Sequence, residues 1–332
     1  MRTLADIVWR LFWVFGVLVL LAATGPCNAT SDRVSARPVE DCWMFNRMPK
    51  TGSTTVVLIL RTFALENTVD FANCGYREWE DDRRLLHLRD SNLTIVSGEY
   101  TESLRAMGAY DSCKWFTMMR HPISRMVSMF LYCKYQDRND QNCGKGAFDF
   151  DAEDADLHSF AEFYSNESLR QFIMAFFTPH EIRASGVIQG IDRRFPGWYK
   201  VGLYIKKMFK NVEGGPGANS SLVLHDAAFE TFLRPAMDLI ETYAAVAIFE
   251  DFENSLVLFN RALNIPGMDW VEAFEAQGKK NVNIHVSTNE KTEMLSAAWT
   301  DSALRAILWL DILLYDHAVA IYKKQLAKYG LS

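Results

Sequence analysis

The chain has 332 residues, 49% of them hydrophobic and 23% charged. That is ample for one large globular domain or two small ones, and 9 Trp with 22 Phe exclude a disordered chain. The net charge of −6 excludes a global basic field for nucleic acid, although a local cleft can still hold an anion.

The first element, in residues 1–25, is "MRTLADIVWRLFWVFGVLVLLAATG", with Arg2 and Arg10 ahead of an uncharged run from Leu11 to Cys27. It reads as a signal peptide or a signal-anchor helix. The run after Arg10 is short for a span of about 20 residues, and Ala22, Ala23 and Thr24 suit cleavage. A span begun at Ile7 with Arg10 snorkelling to the interface makes an anchor. Both readings send the rest into the secretory pathway. Glycosylation sequons at Asn28, Asn92, Asn166 and Asn219 agree with that. The 6 cysteines suit an oxidising lumen. Cys133 and Cys143 flank a polar loop and are the expected bridge, with free buried thiols as the alternative.

Residues 26–40, "PCNATSDRVSARPVE", are polar and aperiodic and read as a stem. From there, residues 41–332 read as the folded, catalytic part. "CWMFNRM" (42–48) predicts a strand, and "STTVVLILRTFAL" (53–65) a helix that starts at hydroxyl residues suited to capping. "LTIVSGEY" (93–100) predicts a second strand and "CKWFTMMR" (113–120) a third. A helix follows the third strand, with Pro122 at its start, where a missing N–H costs nothing. "FAEFYSNESLRQFIMAFF" (160–177) has a helical pattern. A strand over Ala244–Phe249 then leads to a helix from Asp251. The last predicted element is a long amphipathic helix, or a pair. Asp301 or Ser302 caps its start, and Gly330 ends it.

Strands that alternate with helices indicate an α/β fold around a parallel sheet. Ligands bind such sheets beyond the carboxyl ends of the strands. Lys50, Glu99 and Arg120 all fall at that kind of position.

The turn after the first strand is Pro49-Lys50-Thr51-Gly52-Ser53-Thr54-Thr55. A Walker-type phosphate loop has its lysine after the second glycine; here the lysine comes first. The physics is similar all the same. Gly52 allows a tight path, the helix start offers free N–H groups and a positive dipole end, and the hydroxyls of Ser53, Thr54 and Thr55 can donate. Lys50 adds a compact charge.

This order resembles the 5′-phosphosulfate loop of sulfotransferases that use 3′-phosphoadenosine 5′-phosphosulfate (PAPS). The pattern R-x-P-x-x-R-x-x-S at Arg120, Pro122, Arg125 and Ser128 resembles the same family's 3′-phosphate motif. There a strand-end arginine and a helix serine grip the phosphate, and Arg120 and Ser128 match them. Arg125 reads as a structural partner of a carboxylate. "AIFEDFENSLVLFNRAL" with "KKNVN" (279–283), and "LDILLYDHAVAIYKKQL" near the end, resemble the membrane-bound polysaccharide sulfotransferases. That group includes heparan sulfate 2-O- and chondroitin or dermatan sulfotransferases.

The resemblance runs over about residues 42–327. It implies a P-loop-like three-layer α/β fold with a central parallel sheet flanked by helices. It also implies in-line sulfuryl transfer from PAPS to a glycan or polysaccharide hydroxyl, without a metal. Lys50 would stabilise the leaving phosphate, and Thr51, Gly52, Ser53, Thr54 and Thr55 would hold the 5′ group. Several members have a histidine after the glycine that ends the second strand. Here Glu99 stands at that place and is the candidate general base. It can equally be a salt-bridge partner of Lys50. His87 and His121 are the other bases nearby, with capping the expected role of His121. Lys279 and Lys280 could close over the nucleotide, and Arg83, Arg84, "DRRF" (192–195) and "YIKKMFK" (204–210) could line an acidic acceptor's cleft. Each of these can also be a solvated face.

The implied location is the Golgi membrane, single-pass with the catalytic part in the lumen, or secretion after cleavage. A homo-oligomer is compatible with the sequence. Three other readings stay open. One is a kinase-like enzyme, which the inverted lysine and its need for Mg²⁺ ligands argue against. Another is an inactive nucleotide-binding or lectin-like luminal protein. The last is a tyrosine sulfotransferase.

Overall fold

The computed structural model describes residues 42–74, 93–98, 110, 112–136, 143, 148–153, 155–163, 230, 233–277 and 288–331. The N-terminal segment, the stem, the four sequons, His87, Glu99, Lys279, Lys280 and the basic stretches at 83–84, 192–195 and 204–210 lie outside them.

Five short strands form one parallel sheet. They are β1 (Trp43–Asn46), β2 (Phe71–Cys74), β3 (Ile95–Gly98), β4 (Lys114–Met119) and β5 (Ala245–Ile248). β1, β3 and β5 are buried at every position. This is what a parallel sheet covered on both faces requires, and it explains why these strands read as continuous apolar runs. The order across the sheet is β2-β3-β1-β4-β5. The chain therefore passes from β1 to the edge strand β2, returns to β3 beside β1, and then crosses to β4 and β5 on the other side. The crevice at that reversal opens at the carboxyl ends of β1 and β4.

Helices flank the sheet on both sides in a three-layer α/β arrangement. α1 (Ser53–Asn67) leaves β1, and α2 (Pro122–Tyr135) leaves β4. α3 (Leu157–Phe163) and α4 (Arg234–Glu241) precede β5. A 3-10 turn (Phe249–Asp251) then leads into α5 (Phe252–Leu263). α6 (Trp270–Gln277), α7 (Thr288–Thr300), α8 (Ser302–Ile307) and α9 (Trp309–Lys328) complete the described elements. One group of helices joins α1, α6 and α5, and another joins α4, α9, α2 and α7.

The strand and helix after each phosphate-type motif form as the sequence predicts. The C-terminal pattern resolves into a pair, α8 and α9. Asp301 caps α8 by accepting from the Leu304 N–H at 2.9 Å, and Gly330 follows α9 at φ 67°. α1 differs from its prediction. Its N-cap is Gly52, with no side-chain cap. Ser53 is instead the first helical residue, and its hydroxyl is committed to the loop behind it.

Cys133 and Cys143 are bridged, as the flanked loop predicts. A second disulfide, Cys42–Cys113, joins the residues just ahead of β1 and β4. Its signal was present: each cysteine is the first residue of a predicted strand. Two parallel neighbours in register bring such positions together, and here Trp43 pairs with Lys114.

Candidate functional site: an anion cradle at the carboxyl edge of the sheet

β1 runs out at Asn46, and the Arg47 N–H still donates to Gly98 O at 2.8 Å. The chain then turns within five residues. The Met48 carbonyl accepts both the Thr51 hydroxyl, at 3.0 Å, and the Ser53 hydroxyl, at 2.6 Å. These two buried side chains close the loop on itself. Their role is to shape the cradle first. Thr55 is half-buried and Thr54 exposed on the first turn of α1.

Two residues of this loop take the left-handed backbone region, Lys50 at φ 64° and Gly52 at φ 79°. For Gly52 that conformation is free of Cβ strain. The space is also closed: a Cβ there would lie 2.6 Å from Cδ2 of Phe249 and 3.3 Å from Sδ of Met118. For Lys50 the same conformation is uncommon, and strained backbone of this kind gathers at ligand-binding loops. The first turn of α1 has no side-chain cap and no acidic residue. Its leading N–H groups and dipole thus face the loop without a carboxylate to oppose an anion.

Arg120 follows β4, the strand beside β1. Its Nη1 donates to the Lys50 carbonyl at 3.2 Å, and its guanidinium lies 4.7 Å from the centre of the Phe249 ring. Its Nε is buried and finds no hydrogen-bond partner among the described residues. Burial pulls the Arg120 guanidinium below its usual pKa; the Glu250 charge opposes this and Arg125 adds to it. It remains charged.

Arg125, five residues on, has a different fate. It is buried at 2% exposure and lies 3.9 Å from the fully buried Asp311 of α9. The expected structural role is the observed one, and it pins α2 to α9. His121 likewise takes the capping role: its Nδ1 accepts from the Ile123 N–H at 3.3 Å. Ser128 is half-buried on α2, one helical turn before Tyr132. Residues four apart share a face, and the Lys50 ammonium rests 3.1 Å from the centre of the Tyr132 ring. The structure thus brings Lys50, Gly52, Arg120 and the Ser128–Tyr132 face of α2 around one cradle. Glu99 would follow β3, the other neighbour of β1, one residue beyond the described chain.

Two residues were not anticipated. Glu250 lies in the 3-10 turn just after β5 and accepts from the His121 N–H at 2.9 Å and from the Tyr315 hydroxyl at 3.0 Å. Burial pushes the Tyr315 phenol well up, and the charge and hydrogen bond of Glu250 add to the shift. Glu250 could have been found by the rule that singled out Lys50 and Arg120, because it also stands just past a strand. Lys291 belongs to α7, which runs antiparallel along α2. Tyr135 at the end of α2 donates to Glu290 at 2.6 Å, while His121 at its start stacks on Trp299 at 4.1 Å. Burial and the nearby Arg120 charge both lower the Lys291 pKa. No strand-end rule reaches a residue in a mostly polar helix.

A phosphate or sulfate group fits this set of donors. The cradle combines an uncapped helix start, a buried guanidinium nitrogen with no partner among the described residues and a backbone turn with no room for a Cβ. Among the described residues there is no group of three or more His, Cys, Asp or Glu side chains able to hold a metal ion. Also among them, no helix is long and apolar enough to cross a membrane. A scan against protein-family models and a search of curated proteins both found no match.

Proposed function

We propose that the protein is a sulfotransferase that moves a sulfuryl group from PAPS to a hydroxyl of a glycan or polysaccharide by in-line displacement. One observation carries the reading. The Arg120 Nη1 to Lys50 carbonyl contact, at 3.2 Å, ties two phosphate-type motifs into one cradle, though they lie 70 residues apart in sequence.

When bound, the nucleotide supplies an activated sulfuryl group on a phosphate leaving group. The chain's own part is positioning and charge. Lys50 holds a positive charge over the loop, where negative charge grows as the phosphate departs. The N–H groups at the start of α1, with Thr54 and Thr55, hold the 5′ end. Arg120 presents fork-like donors for the 3′-phosphate, and Ser128 adds a hydroxyl. Glu250 stands behind them. It fixes the His121 backbone next to Arg120 and keeps a counter-charge near the guanidinium, so that two arginines and a lysine can share one region. Glu99 is proposed as the base that takes the acceptor proton. The proposed setting is the Golgi lumen.

The test is transfer of radiolabelled sulfate from PAPS by the full-length chain across a panel of glycans and tyrosine peptides. Calorimetric binding of adenosine 3′,5′-bisphosphate runs beside it. Lys50→Ala and Arg120→Ala are each expected to weaken that binding about 100-fold, the usual cost of losing a charged hydrogen-bond partner. Unchanged binding in both variants would sink the assignment. Glu99→Gln should bind normally and lose turnover; full activity would remove Glu99 as base. Labelling of the peptides alone would move the acceptor class from glycan to protein.

A further inference from the structure

We infer that Tyr132 is a positioning residue: its ring is the platform that holds the Lys50 ammonium in place for the incoming anion. The inference deepens the nucleotide reading of the cradle and names a residue that neither motif contains.

A lysine is a poor choice for a fixed charge. Its stem has four rotatable carbons, and its ammonium is a strongly hydrated point charge. Here both ends of the side chain are held. At the backbone end, Lys50 is locked at φ 64° and its carbonyl is gripped by Arg120 at 3.2 Å. At the far end, Nζ lies 3.1 Å from the centre of the Tyr132 ring. A ring face attracts an ammonium through its quadrupole. The ring adds no counter-charge of its own while it orients the ammonium.

The platform itself is rigid. Tyr132 lies between Leu131 and Cys133, both buried, and Cys133 is bridged to Cys143. Lower down, Arg125 fixes the same helix to Asp311 at 3.9 Å. Tyr132 is also four residues beyond Ser128, on the same face. One helix therefore presents the serine of the second motif and orients the lysine of the first. The phenol hydroxyl is not needed for this role, whereas the π face is.

The experiment separates the π face from simple bulk. Tyr132→Phe keeps the face, and Tyr132→Leu keeps apolar volume without it. Full-length protein is reductively methylated with ¹³C, which retains the lysine charge, and the Lys50 signal is assigned by its loss in Lys50→Arg. We expect an upfield, ring-shifted Lys50 signal in the wild type and in Tyr132→Phe, and an unshifted one in Tyr132→Leu. Affinities are then measured for adenosine 3′,5′-bisphosphate and for inorganic sulfate. Tyr132→Phe should bind within twofold of the wild type, and Tyr132→Leu about tenfold more weakly, at unchanged thermal stability. If sulfate follows this pattern while the nucleotide does not bind at all, the platform stands and the nucleotide reading falls. A wild-type Lys50 signal without a ring shift overturns the platform. So does a leucine variant that binds both anions as well as the phenylalanine variant does.

Discussion

The two ends of the parallel sheet are made from the same strands and finished in different ways. At the amino ends, Cys42 and Cys113 bridge the entries to β1 and β4. The Trp43 indole and the Lys114 ammonium both donate to the Leu263 carbonyl, at 3.0 and 2.8 Å. The Trp115 indole donates to Tyr110 O at 3.1 Å. Cation and ring N–H groups alike are satisfied by the protein itself. At the carboxyl ends, the Arg120 Nε has no described partner, α1 starts without a side-chain cap, and Lys50 rests on a ring. The lesson lies in the two lysines. Lys114 is absorbed by a carbonyl and serves the fold. Lys50 has its ammonium against the Tyr132 ring, a partner that adds no counter-charge of its own. Strand ends of one sheet can thus divide stability from chemistry.

The largest effect should come from breaking the closed end. Replacing Cys42 and Cys113 together by serine removes a link across a sequence separation of 71. In the chain-entropy account that costs about 4 kcal/mol. Chemical denaturation of the double variant should show that loss, while affinity for adenosine 3′,5′-bisphosphate stays unchanged in the folded protein. A fall in affinity at denaturant-free, fully folded conditions would mean that the two ends are not separate.

A smaller effect is expected at the open end from Lys291→Ala. Burial lowers the Lys291 pKa, and the Arg120 charge lowers it further, so the two cations oppose each other in the free protein. A bound anion relieves that opposition, so the variant should bind nucleotide about fivefold more weakly, with a flatter salt dependence. Its melting temperature should hold or rise slightly, since one of two like charges is gone. A variant that melts lower and binds equally well would make Lys291 a packing residue of α7.

Much of this division was legible in the chain. The order Lys50, Gly52, Ser53 after a strand marks one side of the cradle from local physics, and Arg120, Pro122 and Ser128 after another strand mark the other through the resemblance. Arg125 and His121 were assigned to structure, and that is where they are. What failed to register has physical reasons. β2 is "FANC", where Asp70 and Asn73 leave only two apolar residues in a row. α7 is largely exposed, with Ala298 as its one buried residue among those described, so it carries no apolar stripe. The hydroxyl cluster at the start of α1 was read as capping it, but the N-cap is Gly52, and Ser53 is the first helical residue, with its hydroxyl donating back to the Met48 carbonyl at 2.6 Å. Tyr132 gave no motif signal, because its value depends on a lysine 82 residues earlier meeting its face, which only the register of β1 beside β4 arranges.

The smallest effect concerns His121, which stands at the boundary between chemistry and fold. Its ring lies 4.1 Å from Trp299 and 5.1 Å from Tyr315, and its Nδ1 accepts the Ile123 N–H. A protonated imidazole has no acceptor, so the cap works only in the neutral form. Burial lowers the His121 pKa to about 4 from 6.5, and the Arg305 charge adds to the shift. Above about pH 7 the ring is neutral in both folded and unfolded chains, and stability is full. As pH falls from 6.5 toward 4, the unfolded chain takes a proton that the folded one refuses, and stability declines. His121→Asn keeps a capping acceptor and cannot titrate. The melting temperatures of the two proteins should therefore run parallel above pH 7. Below it, they should diverge in favour of the variant, by an amount equivalent to about 1 kcal/mol of stability once solvent screening of a partly exposed ring is allowed for. A constant offset across the whole range would show that the cap holds equally well with the ring protonated.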